Sequence, residues 1–147
     1  KKKTPFVLSL FTGLIIVPIF IANYVAQDFT GSAKTAATKT IHAQNVRYIS
    51  RELDKCRLGD VTAMKGLLNC SNYDNTSIIA ALIKTRFDVN PHNTTYISIR
   101  SSSSNTNDED VGYVSLSSSG SNIIIKSCNK TPCKNEENRK ESIVSVK

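Results

Sequence analysis

The side chains with chemical reach in this chain are four cysteines, two histidines and one run of three acids. Cys56, Cys70, Cys128 and Cys133 contain no CxxC pair, and His42 and His92 lie far from them in sequence, so no zinc site assembles by spacing. Oxidative cross-linking is the chemistry left to them. Outside the cytoplasm a disulfide bond is the default, and three connectivities exist for four cysteines. The sequential pairing, Cys56 with Cys70 and Cys128 with Cys133, closes two short loops and is the one expected. His42 stands on a helix near Ala and Gln, and His92 in a Pro-His-Asn turn. Neither has a nucleophile at motif spacing, so both read as exposed polar residues. Ser127-Cys-Asn-Lys130 fits SxxK, but no SDN, KTG or GxSxG accompanies it. Asp108, Glu109 and Asp110 fail the EF-hand spacing and read as a solvated acidic loop. Asn69, Asn75, Asn93 and Asn129 open Asn-x-Ser/Thr triplets, which chance also produces in so Asn- and Ser-rich a chain. The expectation is a protein that is not an enzyme and uses no cofactor and no metal.

The elements that must carry these residues begin with an apolar run. Residues 4–27 hold no formal charge, are dominated by Phe, Val, Leu, Ile and Ala, and follow Lys1, Lys2 and Lys3. About 20 apolar residues at about 1.5 Å each span a hydrocarbon core of about 30 Å. The run therefore predicts a transmembrane helix with its amino end in the cytoplasm, and Pro18 should bend or loosen it. Phe6, Leu10, Phe11, Leu14, Ile15, Ile16, Val17, Ile19, Phe20 and Ile21 are its apolar members. A cleaved signal peptide is the competing reading, but Tyr24 and Phe20 stand where the cleavage sites after Ala26 and Ala22 would need small residues. The expected organisation is a basic flank and membrane helix over 1–27, an amphipathic continuation over 28–58, and a β-rich extracytoplasmic region over 59–147.

Residues 33–57 contain no Gly or Pro and place Val46, Ile49, Leu53 and Cys56 at helical intervals, with Ala33, Ala37 and Ile41 extending the stripe upstream. Val46, Ile49 and Leu53 are the expected contacts to a sheet. Arg47, Arg51, Lys55 and Arg57, interrupted by Glu52 and Asp54, read as a solvated helix face with local ion pairs. Gly59 supplies a stop. A short helix is predicted over 77–85, strands over 95–99, 112–116, 122–126 and 142–146, a hairpin loop over 117–121 and a mobile polar loop over 101–110. The fold class is then α+β: a long N-terminal helix, transmembrane and then amphipathic, packed against a small antiparallel sheet of about four strands. The formal charge of +7 becomes +4 without Lys1, Lys2 and Lys3, too mild for a dedicated nucleic-acid reader.

This arrangement resembles a type IV pilin, most closely in residues 28–34, 36–57, 54–60 and 68–71, and in the tail from residue 112 through the Cys128–Cys133 loop to residue 146. It is similar to the short pilins of Gram-negative marine bacteria. The resemblance implies a structural subunit of a pilus, or fimbrium, or of a related secretion filament. Such a subunit polymerises through its apolar N-terminal helix and supports cell adhesion, motility or DNA uptake. It implies a homo-oligomeric helical filament, the membrane and the pilus assembly machinery as partners, and residence in the inner membrane before assembly and at the cell surface afterwards. DNA or surface binding has no specific motif behind it. The family cuts its leader after Gly and keeps a Glu at the fifth mature position; with Phe6 taken as first, Pro5 and Leu10 occupy those places. Small residues such as Gly13, Ala22 and Ala26 would let identical helices approach closely. The alternative is a single-pass membrane-anchored binding module that does not polymerise.

Overall fold

The computed structural model describes the backbone of residues 6–146 and the side chains of residues 30–146. Helix α1 (Phe6–Arg57) is followed by a two-stranded ribbon of β1 (Thr62–Ala63) and β2 (Leu68–Asn69), then by helix α2 (Asn75–Thr85). Strands β3 (Ile99–Ser101), β4 (Val114–Ser119), β5 (Asn122–Cys128) and β6 (Arg139–Ser145) form one sheet in the order β3-β4-β5-β6. The chain divides into two compact units, Lys1–Ala33 and Lys34–Lys147. The part of α1 from Lys34 onward thus belongs with the sheet.

The α+β mix is present, but the expected fold needs two corrections. Among the described residues no helix is long and apolar enough to cross a membrane, so a helix that is first transmembrane and then amphipathic is not what the structure shows. Where the side chains of α1 are described, Lys34, Lys39, Arg47, Arg51 and Asp54 recur along it, a charge density that hydrocarbon does not accept. The expected membrane and assembly residues Phe6, Leu10, Phe11, Leu14, Ile15, Ile16, Val17, Ile19, Phe20 and Ile21 have side chains outside the described residues. The sheet, moreover, is mixed. β4, β5 and β6 pair antiparallel, but β3 runs parallel to β4, with Ile99 opposite Val114 and Ser101 opposite Leu116. A parallel neighbour needs a crossover of about a dozen residues, and residues 102–113 supply it.

Strand register decides which side chains meet the helices. Ile99, Val114, Leu116, Ile123, Ile125 and Val144 share one face and are buried with Ile49 and Leu53 of α1 and Ile78 and Leu82 of α2. Val46 is half-buried against the same cluster. Upstream the buried stripe is polar: Thr38, His42 and Asn45 are fully buried, while Ala37 and Ile41 are only half-buried and Ala33 is exposed. On this face β6 carries Ser142 and the exposed Lys140, and His42 turns to that polar side, its Nε2 2.9 Å from Ser142 Oγ.

α2 starts two residues before the expected position because Asp74 caps it. The Asp74 carboxylate accepts from Ser77 N–H at 2.7 Å, and Ser77 Oγ accepts from Asp74 N–H at 2.9 Å, a reciprocal capping box. The predicted strand over 95–99 is reduced to Ile99, because Asn90 Oδ1 accepts from the N–H groups of His92 and Asn93 and turns the chain there. The β4–β5 hairpin closes through Gly120 and Ser121, with Ser119 opposite Asn122 and Gly120 at φ +56°. β6 is an edge strand and carries Arg139, Lys140 and Glu141 in succession, charges that blunt pairing with another chain.

Candidate functional site

Both cysteine pairs form the sequential disulfides, Cys56–Cys70 and Cys128–Cys133. The first ties the end of α1 to the residue after β2. Beside it, Glu52 is 3% exposed; its Oε1 accepts from Lys55 Nζ at 2.7 Å and its Oε2 from Met64 N–H at 2.6 Å. Burial alone would raise the Glu52 pKa, but the bonds from Lys55 and Met64 prevail and hold it below the usual carboxylate range. Met64 and Lys65 have φ of +51° and +57°, so this carboxylate clamps a turn whose backbone is strained.

The second disulfide belongs to a C-terminal loop that is tied on three sides. Asn129 N–H donates to Asn138 O at 2.7 Å, Asn138 Nδ2 donates to Pro132 O at 3.0 Å, and Cys133 N–H donates to Asp108 Oδ1 at 2.7 Å. The Thr131–Pro132 peptide is cis. Through Asp108 this loop reaches the acidic stretch, which is pinned where sequence predicts mobility. Arg100 pairs with Asp110 and lies 4.2 Å from the Tyr113 ring centroid; Ser115 Oγ donates to Asn105 Oδ1 at 2.7 Å. Asn105 and Asp110 are 2% and 7% exposed, so the loop packs down onto the outer face of the sheet.

His42 reaches one hydroxyl, Ser142 Oγ at 2.9 Å from its Nε2. His42 is fully buried, and burial followed by the Lys140 charge lowers its pKa to about 4. His92 is half-buried and its pKa is lowered by burial first and Lys34 second. Ser127 is buried and donates to Asn129 Oδ1 at 3.2 Å, while Lys130 is exposed. Among the described residues no group of three His, Cys, Asp or Glu could hold a metal ion.

What the surface offers is charge and apolar area. A cleft of about 390 Å³ is lined by Gln44, Arg47, Tyr48 and Arg51 of α1 and by Arg86, the residue after α2. The guanidinium carbons of Arg51 and Arg86 lie 5.8 and 5.5 Å from the Tyr48 ring centroid. Arg86 pairs with Asp88 at 2.7 Å, whereas Arg47 and Arg51 meet no carboxylate among the described residues. Lys55 and Arg57, further along the helix, are engaged with Glu52 and Asp54. A second cleft, bounded by Lys126, Arg139, Glu136 and Glu141, holds its own ion pairs, Lys126–Glu141 at 3.5 Å and Arg139–Glu136 at 3.9 Å. Large apolar side chains stand exposed in two groups, Leu58, Val61 and Leu67 near the first disulfide, and Phe87, Val89, Tyr96 and Ile97 in the segment before β3, with Ile143 alone on β6. Sequence reading took Arg47 and Arg51 for a solvated face; Arg86, which completes the cleft, comes from another element and has no spacing signal.

No protein-family model, no curated protein and no solved structure matches this chain.

Proposed function

We propose that the chain is a structural subunit of a surface filament of the type IV pilus or related secretion kind, acting by assembly with copies of itself and not by catalysis. The observation that carries this reading is the layering of the second unit: α1 from Lys34 lies on a four-stranded sheet whose last two strands are joined by the Cys128–Cys133 loop. This is the arrangement that the resemblance of the tail and of residues 36–57 implies. Two disulfides suit an oxidising compartment outside the cytoplasm. The exposed Leu58, Val61, Leu67 and Phe87 are apolar area that neighbouring copies would cover. In this reading the uncharged residues 4–27 supply further apolar surface between copies, and adhesion, motility or DNA uptake are outcomes of the whole fibre.

Electron microscopy of material sheared from producing cells, with antibody against residues 34–147, tests the proposal. Regular fibres labelled along their length are expected. Recovery of the chain only as a monomer would overturn it.

A further inference from the structure

The α1 cleft has more positive charge than the fold uses. Arg47 and Arg51 are one helical turn apart, and Arg86 enters from the end of α2, so three guanidinium groups surround one tyrosine. Of the three, only Arg86 is ion-paired among the described residues, to Asp88, while Arg51 feels the Glu52 charge without contact. Tyr48 Oη and Arg86 Nε are buried and have no hydrogen-bond partner among the described residues. Two guanidiniums already lie over the Tyr48 ring. Its guanidiniums suit the cleft to oxyanions, and one of them, Arg86, already pairs with a carboxylate, that of Asp88.

A pair of such groups is presented elsewhere on the same unit. The turn Asp108–Asp110 exposes Asp108 and Glu109, and Glu109 makes no hydrogen bond or ion pair among the described residues. The turn is held from both ends, by Asp110 on Arg100 and by Cys133 N–H on Asp108, so docking it would cost little ordering entropy. The cleft is basic, and the turn presents two exposed acids with Lys134 at their border, so the two surfaces differ and complement each other as a head-to-tail contact requires.

We propose that the Asp108–Glu109 turn of one copy seats in the Arg47–Arg51–Arg86 cleft of the next copy. This rests on the filament reading above and names one of its subunit contacts. The neighbouring turn supplies the carboxylates that Arg47 and Arg51 lack, and acid and base recur at every step along the polymer.

Charge reversal in the full chain tests the contact, read as the yield of sheared fibres. Arg51→Glu and Glu109→Arg should each lower the yield roughly tenfold, and the double variant should recover most of it. Both sites are exposed, so far-UV circular dichroism and the melting temperature should stay near those of the parent chain; Arg51→Gln, which only removes charge, should give an intermediate loss. Parent fibres together with undiminished Arg51→Glu fibres would overturn the contact and leave the filament reading standing. So would a folded double variant as poor as the single ones. If Arg51→Glu abolished binding of added polyphosphate or single-stranded DNA while fibre yield held, an anionic polymer would be the occupant and the proposal would fail. Absence of fibres from the parent chain would remove the filament reading and this contact together.

Discussion

At Gly112 the backbone has φ +80°, and a Cβ placed there would stand 1.9 Å from Asn90 Oδ1. Asn90 cannot move aside freely, because its Nδ2 donates to Val111 O and its Oδ1 accepts from His92 and Asn93 N–H. Gly112→Ala should therefore cost about 2–4 kcal/mol, read as a lowered denaturant midpoint with an unchanged slope. An unchanged midpoint would show that the turn at Asn90 yields easily. His42 sets a second residue-scale expectation. Its folded pKa is about 4, below the unfolded value of 6.5. The unfolded chain thus takes up the proton first: stability is fully present above pH 6.5 and declines as pH falls toward 4. The decline should not exceed about 3.5 kcal/mol in total. Measured between pH 6.5 and 5, where most carboxylates are still ionised, His42→Gln should flatten the slope; the half-buried His92 contributes a remainder with the same sign. A slope that His42→Gln leaves intact would assign the proton elsewhere.

Among the elements, the two disulfides do unequal work. Cys56–Cys70 spans 14 residues and Cys128–Cys133 spans 5, and chain-entropy estimates make the longer loop worth about 1 kcal/mol more. Replacing Cys56 and Cys70 by Ser should lower stability further than replacing Cys128 and Cys133, as denaturant titration of the two double variants would read; the reverse order would mean that the hydrogen bonds around Cys133 dominate. Glu52→Gln should loosen the same region by about 1–3 kcal/mol, since it weakens the charge-assisted bond to Met64 N–H. Faster amide exchange at Met64 than in the parent chain would report it; unaltered exchange would locate the restraint elsewhere. Much of this layer could be read from the sequence, and for physical reasons. Ile49 and Leu53 repeat at helical spacing and are buried; the β4–β5 hairpin has its Gly; the cysteines pair by proximity. The polar stripe Thr38, His42 and Asn45 could not be read, because those side chains are inward only where β6 offers Ser142 and Lys140. The parallel seating of β3 likewise depends on how residues 102–113 cross over, and an alternating strand pattern is blind to direction. The α1 cleft escaped for a similar reason, since it exists only once Arg86 is folded against Tyr48.

The molecule as a whole combines a tightly tied interior with a surface whose charges and apolar groups are left open. Leu58, Val61 and Leu67 are 85%, 75% and 51% exposed, and if copies cover them, changing all three to Ser should reduce fibre yield while the melting temperature holds or rises. A triple variant that assembles as well as the parent would place the apolar contacts elsewhere, with Phe87, Val89 and Tyr96 the next candidates. The row Arg139, Lys140, Glu141 on the outermost strand bears on the material properties of any such polymer. Backbone ladders do not propagate past a strand so protected, so in the proposed polymer any contact at this edge would be made by side chains. A fibre of that kind should come apart into intact folded molecules in warm mild detergent, leave amyloid dyes dark, and give no meridional 4.7 Å diffraction.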